Sequence, residues 1–149
     1  MRGARVLIGA LTAVAAAAGA ALAAATPAMA QESAPCSAAA SACVDLSADR
    51  AWLMDDGTVT YGPVPITSGK PGYETPSGDF QVTWKDKDHR SREYDNAPMP
   101  YSVFFTDTGI AFHEGSLQEE SHGCIHLSHE AAVTFYDQLS PGEGVEVVG

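Results

Sequence analysis

One stretch of this 149-residue chain gathers side chains able to make and break an acyl bond: Ser121-His122-Gly123-Cys124. Four of the five histidines, His113, His122, His126 and His129, fall between positions 113 and 129. A cysteine attacks as thiolate, and an unperturbed thiol with a pKa of about 8.5 is only a few per cent ionised at neutral pH. An imidazole within hydrogen-bond reach can take the proton and later return it to a leaving amine. His113 and His122 both qualify on spacing alone. Gly123 removes a side chain where backbone N–H groups have to approach a developing oxyanion. A lone thiol is otherwise a buried, inert small hydrophobe; the surrounding histidines lift Cys124 above that reading.

A metal-binding module competes for the same residues. Thiolate and imidazole together suit zinc or copper, and His122, Cys124 and His126 offer three donors with His129 close behind. The spacing from His122 to His126 brings two imidazoles together only on a helix. Gly123 interrupts such a helix, and the helical signal starts later. The sequence therefore favours nucleophilic chemistry, with no metal and no cofactor.

The elements that must hold these residues are short and mostly extended. Val44–Leu46, Ala51–Met54, Thr58–Tyr61 and Val64–Thr67 read as strands, with Asp56-Gly57 as the hairpin turn in their midst. Pro63 and Pro65 mark an edge. The stretches Phe80–Trp84 and Tyr101–Phe105 alternate apolar and polar residues, and Ile110–Phe112 leads directly into His113. One helix is expected near the C-terminus. Ser128 is its N-cap, Glu130 lies in its first turn, and Ala132, Phe135, Tyr136 and Leu139 form one apolar face. Pro141 and Gly142 stop it, and Val145–Val148 supplies a last strand. The stretch from Lys85 to Pro100 is charged and reads as a long loop, with Tyr94 as a substrate-binding candidate.

The first thirty residues stand apart. Arg2 and Arg5 precede an apolar run from Val6 to Ala25, and Ala28-Met29-Ala30 offers a small-x-small cleavage site. Residues 1–30 are expected to be a signal peptide, residues 31–42 an Ala/Ser-rich linker, and residues 43–149 a catalytic domain. The mature chain is therefore expected outside the cytoplasm. All nineteen acidic residues but only six of the eight basic ones lie beyond residue 30, giving that part a net charge of −13. Such a charge repels nucleic acid and anionic lipid. No obligate protein partner is expected. Cys36 and Cys43 are separated by six small residues and can close a disulfide, worth roughly 2.5 kcal/mol in the chain-entropy picture. Cys124 is left as the free thiol.

The whole pattern resembles the YkuD-type L,D-transpeptidases of bacterial cell walls. The resemblance rests on His113-Glu114-Gly115-Ser116-Leu117 followed by Ser121-His122-Gly123-Cys124-Ile125, on Thr75-Pro76-Ser77-Gly78-Asp79-Phe80, and on Gly69-Lys70-Pro71-Gly72 before it. It implies a mainly β, β-sandwich-like catalytic fold with one packed α-helix near the C-terminus. It also implies Cys124 as nucleophile, His113 as general base, and Ser121, His122, Gly123 and Glu114 as the oxyanion-forming and supporting residues. The implied substrates are peptidoglycan stem peptides. The donor would form a thioester on Cys124 with loss of D-alanine, and an amine of a second stem would complete a 3→3 cross-link. An L,D-carboxypeptidase would use the same thioester with water as acceptor. One departure concerns His126, where many members carry Arg or Asn two residues after the cysteine. A neutral imidazole is a weaker carboxylate anchor than Arg, so His126 is a substrate-binding candidate of altered character. The short spacing from His113 to Ser121 is a second departure and implies a more open site.

Overall fold

The protein is described here from a computed structural model covering residues 33–149; the expected leader, 1–30, lies outside the described residues. The chain runs through β1 (Ala42–Asp45), β2 (Arg50–Asp55), β3 (Thr58–Pro65), β4 (Gly78–Gln81), β5 (Trp84–Arg90), β6 (Pro98–Phe104), β7 (Ala111–Glu114), β8 (Ile125–Leu127), α1 (His129–Gln138) and β9 (Gly144–Val148). These strands form two sheets, ordered β3-β2-β1-β9-β4 and β5-β6-β7-β8. Among the described residues the architecture is mainly β with one helix near the C-terminus, as the sequence predicts.

Local chemistry accounts for most of the first sheet. Asp56 and Gly57 both have positive φ, 45° and 79°, the backbone that a two-residue hairpin between right-twisted strands requires. β1 then pairs antiparallel with β2 and parallel with β9. The two expected strands Thr58–Tyr61 and Val64–Thr67 merge into β3, which is continuous across a cis Gly62–Pro63 peptide and ends at Pro65, while Thr67 makes an isolated bridge to His126. Cys36 and Cys43 are joined, with an S–S distance of 1.98 Å. Beside them, the Ser37 N–H and hydroxyl both donate to the Glu146 carboxylate on β9.

The core collects alternate residues of both sheets and one face of α1. Val44 and Leu53, Val103 and Phe112, and Ile125 with Ala132, Phe135 and Leu139 belong to one buried cluster. Phe135 is fully buried and meets the rings of Tyr61 and Phe112. Ser128 caps the helix by accepting the Ala131 N–H. Its last turn contains no basic residue. Lys85 of β5 supplies that charge from outside, donating from Nζ to the Tyr136 carbonyl at 2.7 Å, which suits the negative end of the helix dipole.

Two expectations need correction. The stretch Lys85–Pro100 is mostly a hairpin, β5 paired antiparallel with β6, and only residues 91–97 connect them. Its charges hid it, because Lys85-Asp86-Lys87-Asp88-His89-Arg90 offers no apolar alternation. Lys85 and Lys87 instead set their ammonium groups over the rings of Tyr136 and Tyr101, so charged residues do the packing. The second is the alternating stretch Phe80–Trp84, which is divided between β4 of the first sheet and β5 of the second; β8, three residues long after Cys124, carries no periodicity to read.

Candidate active site

Pairing within the second sheet brings the two distant parts of the motif together. β6 pairs antiparallel with β7, setting Phe104 opposite Ala111. β7 pairs parallel with β8, setting Phe112 opposite Ile125 and His113 opposite His126. Cys124, one residue before β8, therefore stands level with Ala111 and packs on the cluster of Met99, Phe104 and Ala111. His113 is two residues beyond Ala111, so it emerges on the same face of the strand. The chain between them makes a tight return, in which the Ser116 hydroxyl accepts the N–H groups of Gln118 and Glu119.

Cys124 is the free cysteine among the described residues and is half-buried. Burial pushes its thiol above the ordinary pKa, and a hydrogen bond from the Ala111 backbone works in the opposite direction. Glu114, Glu119 and Glu120 lie near Cys124 in sequence, yet desolvation is the cause of the rise. The Glu114 carboxylate is turned to His129 Nδ1, 2.8 Å away.

His113 is 6% exposed. Its Nδ1 lies 2.8 Å from the Glu114 carbonyl oxygen. A carbonyl oxygen can only accept, so Nδ1 carries the hydrogen and the neutral ring keeps its lone pair on Nε2. Burial lowers the His113 pKa to about 4, against the opposing pull of the Glu114 carbonyl. The ring of His126 stands edge-on to it, centroids 4.9 Å apart. His126 is itself tied down, its Nδ1 3.0 Å from the Ser116 carbonyl oxygen and 3.1 Å from the Thr67 hydroxyl.

The turn before the thiol is locked from two sides. Ser121 is buried; its hydroxyl donates to the Cys124 carbonyl and accepts the Gly123 N–H. Gly123 has φ of 122°, a conformation that L side chains rarely adopt. From the other side, the buried Thr75 hydroxyl donates to the Gly123 carbonyl at 2.7 Å and accepts the Gly69 N–H. The sequence placed Thr75 in a motif without giving it this task. A threonine ahead of Pro76 is the whole of the signal in the sequence, and its partner lies 48 residues away.

His122 points outward and is held between two tyrosines. Tyr94 stacks on it at 4.1 Å and Tyr73 meets it edge-on at 4.8 Å. Cys124, His113, Glu114, Ser121, His122, His126 and Tyr94 all line one cavity of about 790 Å³, while Gly123 is buried and not part of its lining. A larger cavity of about 980 Å³, between Ser37, β4 and β9, is lined by neither cysteine nor histidine. Among the described residues no three His, Cys, Asp or Glu side chains are grouped to hold a metal ion. The segment after Cys124 is a strand, not the helix that a His122/His126 ligand pair needs.

This geometry has relatives. A probable L,D-transpeptidase 3 of Mycobacterium tuberculosis is 30% identical over 107 residues, covering 58% of this chain and 38% of that protein. A crystal structure of an L,D-transpeptidase from Stackebrandtia nassauensis matches with a TM-score of 0.68 at 29% identity, over 72% of this chain and 54% of that one. An L,D-transpeptidase solved in complex with imipenem matches with a TM-score of 0.64 at 26% identity, over 70% of this chain and 56% of that one. The match thus spans about two fifths of the curated relative and about half of the solved chains. The family model for the YkuD L,D-transpeptidase catalytic domain matches residues 39–147, and the chain belongs to that family.

Proposed function

We propose that this protein is a peptidoglycan L,D-transpeptidase in which Cys124 is the nucleophile and His113 the general base. One observation carries the reading: a neutral imidazole, its Nδ1 committed to the Glu114 carbonyl, shares a cavity wall with a lone thiol. As Sγ attacks the carbonyl of the donor stem's third residue, the thiol proton passes to His113 Nε2 and a tetrahedral intermediate forms. The carbon–nitrogen bond then breaks, and His113 returns the proton to the departing D-alanine amine. A side-chain amine of a second stem attacks the thioester, gives a proton to His113, and displaces Sγ, which recovers that proton. The product is a 3→3 cross-link.

The Gly123 N–H is already donated to Ser121 Oγ. The backbone amides of His122 and Cys124 are therefore the oxyanion donors in this scheme, held in place by the Gly123 φ, Ser121 and Thr75. The disulfide agrees with an oxidising compartment outside the cytoplasm, and the expected leader agrees with secretion or attachment at the wall.

Intact-mass spectrometry with a carbapenem, with and without a chelator, tests the chemistry. A single adduct on Cys124 that ignores the chelator is expected. An adduct appearing only after chelation would replace the enzyme with a metal site. Incubation with purified stem tetrapeptides then separates the acceptors: cross-linked dimer supports transpeptidation, whereas tripeptide alone would make the protein an L,D-carboxypeptidase.

A further inference from the structure

Trp84 has no part in the chemistry above, yet it lines the same cavity as Cys124 and His113. It is 46% exposed, unusual for a large apolar ring. One face lies flat on Phe104, centroids 4.2 Å apart and planes within 3°. His89 braces both rings edge-on, at 5.4 Å from Trp84 and 4.9 Å from Phe104, and is held by Asp86 at 3.1 Å. The indole is thus fixed on one side and open on the other.

Strand register fixes how far this open ring lies from the nucleophile. Trp84 is opposite Phe104, and Phe104 is opposite Ala111. Ala111 stands level with Cys124, because Phe112 pairs with Ile125. Paired residues share a face of the sheet, so Trp84, Phe104, Ala111 and Cys124 form one row across four chain segments. Three inter-strand spacings of about 4.8 Å put the indole about 14 Å from the thiol.

We propose that Trp84 is a saccharide platform that receives a pyranose ring of the glycan from which the donor stem hangs; this rests on the transpeptidase reading. The three stem residues before the attacked carbonyl span about 10–11 Å when extended, so the next group along is the sugar. A pyranose presents a patch of C–H groups to the face of an aromatic ring, whose negative quadrupole attracts them. Thr106, Asp107 and Arg92 line the same cavity and offer partners for hydroxyl and amide groups at the rim. An apolar peptide side chain would use the indole but leave those polar groups idle.

Trp84 and Trp52 are the two tryptophans of the chain, and Trp52 is 1% exposed. Two indole N–H resonances therefore report separately on the platform and on the folded core. Titrating the chain with the peptide-free disaccharide of the glycan should shift the Trp84 signal and leave that of Trp52 in place. A shift with free stem tetrapeptide and none with the disaccharide would overturn the proposal. In kinetics, the wild-type preference for disaccharide-tetrapeptide over free tetrapeptide, as a ratio of kcat/KM, should fall about tenfold in Trp84→Ala, or about 1.4 kcal/mol, and largely survive in Trp84→Phe. Equal losses on both substrates in Trp84→Ala would assign the residue to the fold and refute the platform. If the wild type turned over neither substrate, the transpeptidase reading would fall, and the titration would still decide the platform.

Discussion

Burial acts on both members of the proposed catalytic pair, and in opposite directions. Burial holds His113 at about 4 and pushes Cys124 above its ordinary value. Even an unshifted thiol near 8.5 would leave a gap of about 4.5 units, on the order of 6 kcal/mol against moving the proton from sulfur to imidazole. Even two opposite charges as close as about 4 Å would return only about 4 kcal/mol at an effective dielectric constant near 20. About 2 kcal/mol or more then remains against the ion pair, so thiolate–imidazolium is a few per cent of the population at most. On the proposed assignment the pair therefore rests as neutral thiol and neutral imidazole, unlike cysteine sites that store a thiolate. The consequence is a split between two pH profiles of Cys124. Alkylation by iodoacetamide samples the thiolate directly and should climb about tenfold per pH unit through neutrality. Acylation by a carbapenem uses the neutral pair with His113 as base, and should be nearly flat from about pH 6 to 8, because neither group titrates there. Both rates can be followed by intact mass on one preparation. An alkylation plateau that begins near pH 5 and disappears in His113→Ala would mean a stored ion pair, and the argument from burial would be wrong.

Three further outcomes follow from the same geometry. His113→Ala should lower acylation by about two to four orders of magnitude, the usual range for lost acid–base help, and His122→Ala should cost less; the reverse ranking, in single-turnover kinetics, would reassign the base. The folded state binds His113's proton less tightly than the unfolded chain, about 4 against about 6.5, so this residue's contribution to stability is present above about pH 6.5 and lost as pH falls towards 4. That loss is about 3 kcal/mol; urea melts of His113→Gln should lack this component, and an unchanged acid slope would contradict the buried neutral ring. Shortening the connection at residues 91–97, which carries Tyr94 onto His122, should raise the apparent KM for a stem tetrapeptide while the circular-dichroism spectrum and melting point stay close to wild type; unaltered kinetics would make the connection a plain surface turn.

What the sequence revealed and what it concealed divide along the range of the interactions involved. α1 was legible because its cap, its periodic apolar face and its stop signals are all local, and the Asp56-Gly57 turn was legible for the same reason. β5 was not, because the strand signal is an apolar alternation, and here cationic side chains on aromatic rings take over that role from a neighbouring helix and strand. The pair Cys124 and His113 could be singled out because one twelve-residue segment, 113–124, carries both, and a parallel β7–β8 pairing is needed only to close the gap. The buried hydroxyl of Thr75 could not be assigned its task, since its partner is 48 residues away. Nor could the row from Trp84 to Cys124, which exists only after three separate registers have been set. The thiol's pKa makes the same point about electrostatics. Counting nearby carboxylates along the chain implicates Glu114, Glu119 and Glu120, but a charge acts through space, and Glu114 faces His129 instead. Once sheet packing has removed water from Sγ and from the His113 ring, desolvation outweighs every carboxylate adjacent in sequence. In the proposed mechanism the motif therefore specifies which atoms react, while the second sheet decides in which protonation state they wait.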